Sequence, residues 1–263
     1  MKRFKQIALW GGILLYLAVA LSFVNKKRER TICSKVKVTI SDSLQDQFIT
    51  RSKVQNIIHN LGTKIRGEET SNINIRQIER YLADKPLVKQ AELYFTGNGD
   101  LHIRIDQRNP IVRVINARGR SYYIDPEGVI LPVSQGYTSH VLVASGEIKE
   151  FFEPARQNKL PCPGDYDGKK NYAICKIFDL ARFIHNHPFW EAQIEQIYLN
   201  REGEYELIPR VGGHLIKLGP YEGYRKKFRH LKALYEKGFN NTGWNKYLKI
   251  NLEYDNQIVC TKR

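Results

Sequence analysis

Short runs of alternating apolar and polar residues mark three strands in the first third of the chain. Apolar side chains occupy every second position over residues 36–40, 91–95 and 101–105, the period of a half-buried strand. Gly97-Asn98-Gly99-Asp100 separates the last two runs and has the composition of a tight turn. This part of the sequence therefore predicts one strand followed, further along the chain, by a hairpin.

Two helices are predicted between the first strand and the hairpin. Apolar residues recur with spacings of three and four over residues 54–61, with Thr50 or Ser52 available as the N-cap. A second helix is expected to begin at Asn74 as its N-cap and to end before Pro86. The predicted order is strand, helix, helix, strand, strand.

The remainder of the chain predicts a larger, strand-rich region with two helices. A helix is expected from Ile174 to about His185, and another from Tyr221 to Lys237 that Gly238 ends. The last predicted strand runs from Tyr247 to Val259. Further strands are predicted near residues 111–115, 121–124, 129–131, 140–144, 194–199, 205–208 and 214–218. Together the patterns indicate an α+β fold.

A continuous apolar stretch of eighteen uncharged residues, Ile7 to Val24, lies between two basic clusters near the start of the chain. As a helix it would extend about 27 Å, close to the thickness of the hydrocarbon region of a bilayer. We interpret it as an uncleaved single-pass anchor with a tail at residues 1–6; a cleaved signal peptide ending at Ala20 is the alternative. The residues assigned to the membrane anchor are Ile7, Trp10, Leu14, Leu17, Leu21 and Val24.

The formal net charge of +15 does not by itself indicate nucleic-acid binding. The basic residues are spread over the whole chain, and no zinc-finger spacing, RNP-like aromatic motif or basic heptad region accompanies them. Attraction to anionic lipid headgroups or to acidic partners accounts for the charge as well. We therefore expect a membrane protein that does not bind nucleic acid.

No motif in the sequence predicts a catalytic residue, a metal site or a cofactor. The run Asp165-Tyr166-Asp167-Gly168 starts like a calcium loop but has lysine where the loop needs its later glycine and glutamate. His185 and His187 are two residues apart, which puts them on different faces of a helix. Four cysteines allow three pairings; we expect small buried thiols, and Cys162 with Cys175 is the first candidate for any disulfide.

Three short motifs give the chain a resemblance to the FtsQ/DivIB family of bacterial division proteins. Pro86 to Ala91 is similar to the family's P-x-V-x-x-A segment, and Gln107 to Ile111 to its (E/Q)-R-x-P-(V/I) junction. Ile124 to Gly128 is similar to its (L/I)-D-x-x-G turn. The short tail and Asn25 to Lys27 resemble the Bacteroidota type.

The resemblance implies the whole layout of the chain. A cytoplasmic tail at residues 1–6 would precede a transmembrane helix at 7–24 and a linker at 25–32. A POTRA-like β-α-α-β-β domain would occupy residues 33–108, and a larger mixed β domain with flanking helices and a terminal edge strand residues 109–263. The bulk of the protein would then be periplasmic, at the septum of a dividing cell.

The resemblance also implies a function and a binding site. The protein would be a non-enzymatic scaffold that recruits and regulates septal peptidoglycan synthesis and binds FtsB- and FtsL-like single-pass coiled-coil proteins. In the family the FtsB contact adds a strand to the last strand of the β domain. Carried to this sequence, the binding residues are Tyr254, Asn256, Gln257, Ile258 and Val259.

Two other classes of function stay open at the level of sequence. A membrane-anchored or secreted cell-envelope enzyme with a dispersed active site would require a deep cleft that collects titratable groups. A POTRA-bearing transport component would require further POTRA units or a membrane barrel. Tyr254 has a plain structural alternative too, because aromatic residues pack well at strand positions without binding a partner.

Overall fold

A computed structural model describes residues 10–19, 31–41, 48–62, 64–134, 136–153, 159–162, 172–239 and 246–263. The chain divides into two compact units, Met1–Gln107 and Arg108–Arg263. Each unit contains helices and strands, so the predicted α+β fold class is confirmed.

The first unit has a small sheet and two main helices in the predicted order. Its sheet order is β1-β3-β2, with β1 parallel to the central strand β3 and β2 antiparallel to it. The buried faces of the helices and the sheet form one apolar core. The elements are β1 (Val36–Ser41), α1 (Arg51–Asn60), a 3-10 turn (Thr70–Asn72), α2 (Ile75–Ala83), β2 (Val88–Phe95) and β3 (Leu101–Gln107).

Side-chain caps fix the starts of both helices in this unit. The Thr50 hydroxyl accepts the backbone N–H of Lys53, with 3.3 Å between the oxygen and the nitrogen. The side-chain carbonyl oxygen of Asn74 accepts the backbone N–H of Gln77 in the same way, with 3.1 Å between the oxygen and the nitrogen. Each bond satisfies a donor that a helix leaves unpaired at its first turn, so these short helices begin where the sequence predicts.

The second unit is built on one large sheet with helices packed on one face. Its strands are β4 (Val112–Ile115), β5 (Ser121–Ile124), β6 (Ile130–Leu131), β7 (Leu142–Gly146), β8 (Ile194–Leu199), β9 (Tyr205–Pro209), β10 (Leu215–Gly219), β11 (Tyr247–Asn251) and β12 (Val259–Lys262). Its helices are α3 (Ala173–His185), α4 (Pro188–Gln193) and α5 (Tyr224–Ala233), and a π-helical segment, Leu234–Phe239, continues α5. Over the residues that the structure describes, the sheet has nine strands in the order β12-β11-β10-β9-β8-β7-β4-β5-β6.

A row of aliphatic side chains crosses this sheet and forms part of its buried core. Ile197, Leu207, Ile216 and Ile250 are register partners on four neighbouring strands, and all are fully buried. They belong to the same buried cluster as Phe228 and other residues of α3 and α5. The helices therefore cover this row, while the alternate residues of the same strands lie on the opposite face.

One predicted helix of this unit differs from the structure, and one short helix was not predicted. The last helix begins at Tyr224 rather than Tyr221, because Gly223 has a φ of 70° and cannot belong to a right-handed helix. Gly238 does not end it, since that residue lies inside the π-helical segment. Pro188 ends the preceding helix but also starts α4, which the sequence pattern did not predict; proline suits a first helical turn.

The predicted membrane anchor lies partly outside the described residues. Residues 10–19 are helical, and Trp10, Leu14 and Leu17 on them are exposed. Ile7, Leu21 and Val24 lie outside the part of the chain that the structure describes. Within that part, no helix combines the length and the hydrophobicity needed to cross a bilayer.

Candidate functional site

Strand β12 forms one edge of the nine-stranded sheet. It pairs antiparallel with β11, and no strand of the described residues lies on its other side. Val259 is 43% exposed, and Thr261 and Lys262 are exposed as well. Cys260 is only partly buried and packs against the core. One side of the β12 backbone is therefore open to a further strand.

The register identifies which backbone groups of β12 face outward. The N–H of Arg263 donates to the carbonyl oxygen of Lys246 at 3.1 Å, so residue 263 faces β11. Because strand residues alternate, Val259 and Thr261 also face β11, and Cys260 and Lys262 direct their N–H and C=O groups away from it. Unpaired groups of this kind are the docking points for an added strand.

The prediction of one terminal strand from Tyr247 to Val259 is wrong in its middle. Strand β11 ends at Asn251, and residues 252–258 turn the chain back into β12. Within the turn Asn256 has a φ of 65°, a left-handed conformation that interrupts any extended run. Strand β11 itself lies between β10 and β12, so at this end of the sheet the edge strand of the described residues is β12 and not β11.

The structure separates the five residues that sequence reasoning assigned to binding. Tyr254, Asn256 and Gln257 are exposed in the turn, Ile258 packs against the core, and Val259 begins β12. Sequence reasoning missed Cys260, Thr261 and Lys262, which form the rest of the open strand. The run Val-Cys-Thr-Lys alternates too briefly to be recognised without its neighbours.

A charged cluster fixes the start of the turn onto the open face of the sheet. The Lys217 ammonium lies 2.9 Å from a carboxylate oxygen of Glu253 and 3.1 Å from one of Glu204. The side-chain amide of Asn251 donates to Glu253 at 3.0 Å, and the N–H of Glu253 donates back to Asn251 at 2.9 Å. Both carboxylates are partly buried, so the turn has a defined conformation rather than a choice of several.

The pKa values around this cluster follow from its contacts. Burial opposes ionisation of Glu253, but hydrogen bonds from Lys217 and Asn251 outweigh it and hold the pKa of Glu253 below its ordinary value. The hydrogen bonds to Glu253 and Glu204 raise the pKa of Lys217. The Lys217–Glu253 pair is therefore ionised at neutral pH. Its stabilising effect is present above the ordinary pKa of a glutamate and is lost as the pH falls through the lowered pKa of Glu253.

A second ion pair joins the tip of the turn to helix α5. Lys226 lies 3.1 Å from a carboxylate oxygen of Asp255, whose side chain is almost fully exposed. An exposed pair of this kind adds little free energy. The contact shows that Asp255 lies beside α5, and Tyr254 in the same turn is exposed.

Comparison with known proteins identifies the second unit. A family model described as FtsQ/DivIB, C-terminal related, matches residues 109–261, which is more than half of the chain. The chain belongs to the FtsQ/DivIB family. A POTRA-like domain model matches residues 31–106 of the first unit, and no curated protein matches the chain. The predicted resemblance and the POTRA-like domain are thus confirmed.

Family membership indicates the kind of protein to which the open edge belongs. FtsQ/DivIB proteins are non-enzymatic division proteins, and their domains indicate a cell-division scaffold. In this FtsQ/DivIB chain, His185 bonds to Glu191 and His187 to the carbonyl oxygen of Phe183, so the two histidines do not share a site. Among the described residues, no group of three potential ligands could hold a metal ion.

Two cysteines of this FtsQ/DivIB chain form the candidate disulfide, so the expectation of small buried thiols is wrong for that pair. Cys162 and Cys175 form a disulfide, which ties the start of α3 to the segment before it. Cys33 is a free buried thiol, and Cys260 is a free thiol on the open strand. Burial raises the pKa of the Cys260 thiol, so at neutral pH it is a packing residue rather than a reactive thiolate.

Proposed function

We propose that this chain is a membrane-anchored division scaffold that captures a partner by adding one of the partner's strands to β12. The observation that carries the proposal is the open edge, where Cys260 and Lys262 direct unpaired backbone groups outward. Two residues facing outward offer two donors and two acceptors. Each hydrogen bond contributes about 0.5–1.5 kcal/mol net, so the backbone supplies a contact of modest strength.

The buried row of the sheet determines which side chain is favoured on the added strand. Cys260 is the register partner of Ile250, so it continues the buried row beneath the helices to which Ile216 and Ile250 belong. A partner residue paired with Cys260 would extend this row by one more position and bury apolar area against it. A partner strand with an aliphatic or aromatic residue at that position is therefore favoured.

Tyr254 has a different role in this proposal from the one that the sequence predicted. It lies in the turn rather than on the added strand's ladder, and it is 51% exposed. The partly buried ion pair of Glu253 with Lys217 fixes the residue before it, and Asp255 after it contacts Lys226 on α5. Tyr254 is thus a pre-positioned aromatic side chain at the end of the edge, suited to contact the partner as it enters or leaves β12.

The membrane anchor compensates for the small area of the contact. If residues 7–24 span the inner membrane, with the N-terminus cytoplasmic and the bulk periplasmic, the scaffold and a single-pass partner share one membrane. Confinement raises their effective concentration without new contacts. The Cys162–Cys175 disulfide supports this placement, because disulfides persist in oxidising compartments such as the periplasm.

The partners that the family resemblance suggests are FtsB- and FtsL-like single-pass coiled-coil proteins. Each would bring an extended segment after its coiled coil to the open edge. Through them the scaffold would recruit and regulate the septal peptidoglycan synthesis machinery at the division site. The chain itself would supply geometry and a docking strand rather than chemistry.

Replacing Lys262 with proline is expected to weaken capture of the partner by about tenfold to a hundredfold, or about 1–3 kcal/mol. Proline removes the outward N–H and places its ring in the path of the added strand, while the bonds from β12 to β11 remain. The measurement is binding of the full chain to the export-side domain of an FtsB-like partner, by pull-down and titration.

Two control variants distinguish loss of the outward N–H from loss of the Lys262 charge and from loosening of β12. Lys262→Ala removes the same charge and keeps the N–H, so it should bind almost as the unchanged chain does. Thr261→Pro removes a donor that faces β11, so it should loosen β12 itself. Equal binding by Lys262→Pro and Lys262→Ala, with both folded, would remove strand addition at β12 from the account.

A further inference from the structure

The C-terminal end of β12 is held by the side chain of Arg263. Its guanidinium Nη2 donates to the carbonyl oxygen of Gly213 at 2.9 Å, and its backbone N–H donates to Lys246. Gly213 lies in the turn that leads into β10. Because β11 separates β10 from β12, this side chain ties the edge strand to the second strand inward as well as to its neighbour.

A buried histidine lies directly after the residue that Arg263 binds. His214 is 3% exposed, and its Nε2 lies 2.9 Å from the hydroxyl oxygen of Tyr235 in the π-helical segment. Its Nδ1 is buried and has no hydrogen-bond partner in the part of the chain that the structure describes. The rings of Tyr235 and Phe239 pack edge-on against it, with centroids 5.9 and 5.5 Å away.

These surroundings suit a neutral imidazole and not a charged one. From the π-helical segment the ring contacts the Tyr235 hydroxyl and the Phe239 ring, and the positive charge of Arg263, directly after β12, acts on it electrostatically. Among the described residues, no carboxylate forms a hydrogen bond with the ring. Burial first, and then the charge of Arg263, lower the pKa of His214.

We propose that His214 and Arg263 form a pH-sensitive latch, which holds β12 in place while His214 is neutral and releases its C-terminal end when His214 is protonated. A protonated ring would place a second positive charge beside Arg263 and an unpaired donor at Nδ1 in a buried site. The opened state relieves both by exposing the ring to water. The consequence for partner docking rests on the proposed function, whereas the latch itself is a property of the chain alone.

The direction of the pH effect follows from linkage. The pKa of His214 is lowered when the latch is closed and returns to its ordinary value of about 6.5 when the latch opens, so the open state binds protons more strongly. The closed state is therefore fully favoured above about pH 6.5. Its advantage declines as the pH falls from there towards the lowered pKa, by at most about tenfold for each pH unit.

Hydrogen exchange of the full chain tests the latch without any partner. Exchange is measured at about pH 7.5 and about pH 5.5 and corrected for the intrinsic rate at each pH. The amides of Thr261 and Arg263, which face β11, should lose about tenfold of their protection at the lower pH. The amides of β4 and β5, at the other end of the sheet, should keep theirs.

Two variants separate the titrating ring from the bond it controls. His214→Phe has no proton to gain, so the protection of β12 should no longer depend on pH. In Gly213→Ala the new Cβ would meet the Arg263 guanidinium, which should lower the protection of β12 already at neutral pH while leaving His214 in place.

Three outcomes would overturn the latch: no loss of protection in β12 at low pH, an equal loss in β4 and β5, or the same pH dependence in His214→Phe as in the unchanged chain. Partner binding gives an independent result. If β12 opens with acid but Lys262→Pro binds the partner normally, the latch stands and the proposed docking fails. If Lys262→Pro abolishes capture and β12 shows no response to acid, the reverse holds.

Discussion

Replacing Phe228 with alanine is expected to lower the free energy of unfolding of the second unit by about 3–5 kcal/mol. Phe228 is 1% exposed on α5, and its ring centroid lies 5.0 Å from those of both Phe183 on α3 and Trp190 on α4. Removing the ring leaves a cavity where three helices meet the sheet, and neighbouring rings cannot collapse fully into it. Chemical denaturation followed by the fluorescence of Trp190, with Trp10 and Trp244 replaced by phenylalanine, measures the loss.

Phe228→Leu provides the matched control for this cavity. Leucine keeps most of the volume and all of the apolar character, so its expected cost is less than half that of alanine. A loss below about 1 kcal/mol for Phe228→Ala would contradict the packing described for α5. Because α5 leads into the π-helical segment that contacts His214, we also expect the alanine variant to weaken the packing beneath β11 and β12.

Removal of the Cys162–Cys175 disulfide is expected to cost about 3 kcal/mol. The bond closes a short loop, with 13 residues of sequence separation, and constrains the unfolded chain at the entrance to α3. Cys175 is buried in the first turn of that helix, so the loop end that it fixes belongs to the core. Denaturation of Cys162→Ser beside the unchanged chain, each with and without reductant, measures the effect.

The reductant distinguishes the bond from the thiol. The unchanged chain should lose about the same stability in reductant as Cys162→Ser loses without it, and the variant should show no further response. Cys33→Ser and Cys260→Ser are suitable comparisons, because both cysteines are free. A similar response to reductant in Cys162→Ser would show that the stabilising bond is not this one.

Sequence reasoning predicted those elements whose determinants are local. The caps at Thr50 and Asn74 depend on residues three positions apart. In the turn at Asp125, the backbone N–H groups of Glu127 and Val129 likewise donate to the carboxylate of Asp125. In such places the residues that decide the structure lie within one short window of sequence.

The features that sequence reasoning missed depend on contacts between distant residues. Alternation continues from Leu248 past Leu252, yet the chain turns after Asn251 because Lys217, far away in the sequence, binds Glu253. The π-helical segment places Tyr235 against His214, directly before β10. The sequence of this segment has no hydrophobic periodicity that would predict a π-helix. A parallel pairing such as β10 with β11 is equally invisible in one strand's sequence.

The candidate site shows the same division. The sequence directed the prediction to the end of the chain, because an alternating pattern lies there and the family resemblance implies a binding strand at that place. It could not show that β11 is enclosed on both sides, or that Cys260 and Lys262 rather than Tyr254 present the free backbone groups. Which strand is at the edge is a property of the whole sheet order, and nine strands must be placed before it is known.

Site-resolved hydrogen exchange of β12 with and without an FtsB-like partner tests the central claim most directly. Before binding, the amides of Thr261 and Arg263 should be protected by β11, and those of Cys260 and Lys262 should exchange freely. Strand addition predicts that binding protects Cys260 and Lys262. Tight binding that leaves these two amides unprotected would contradict it.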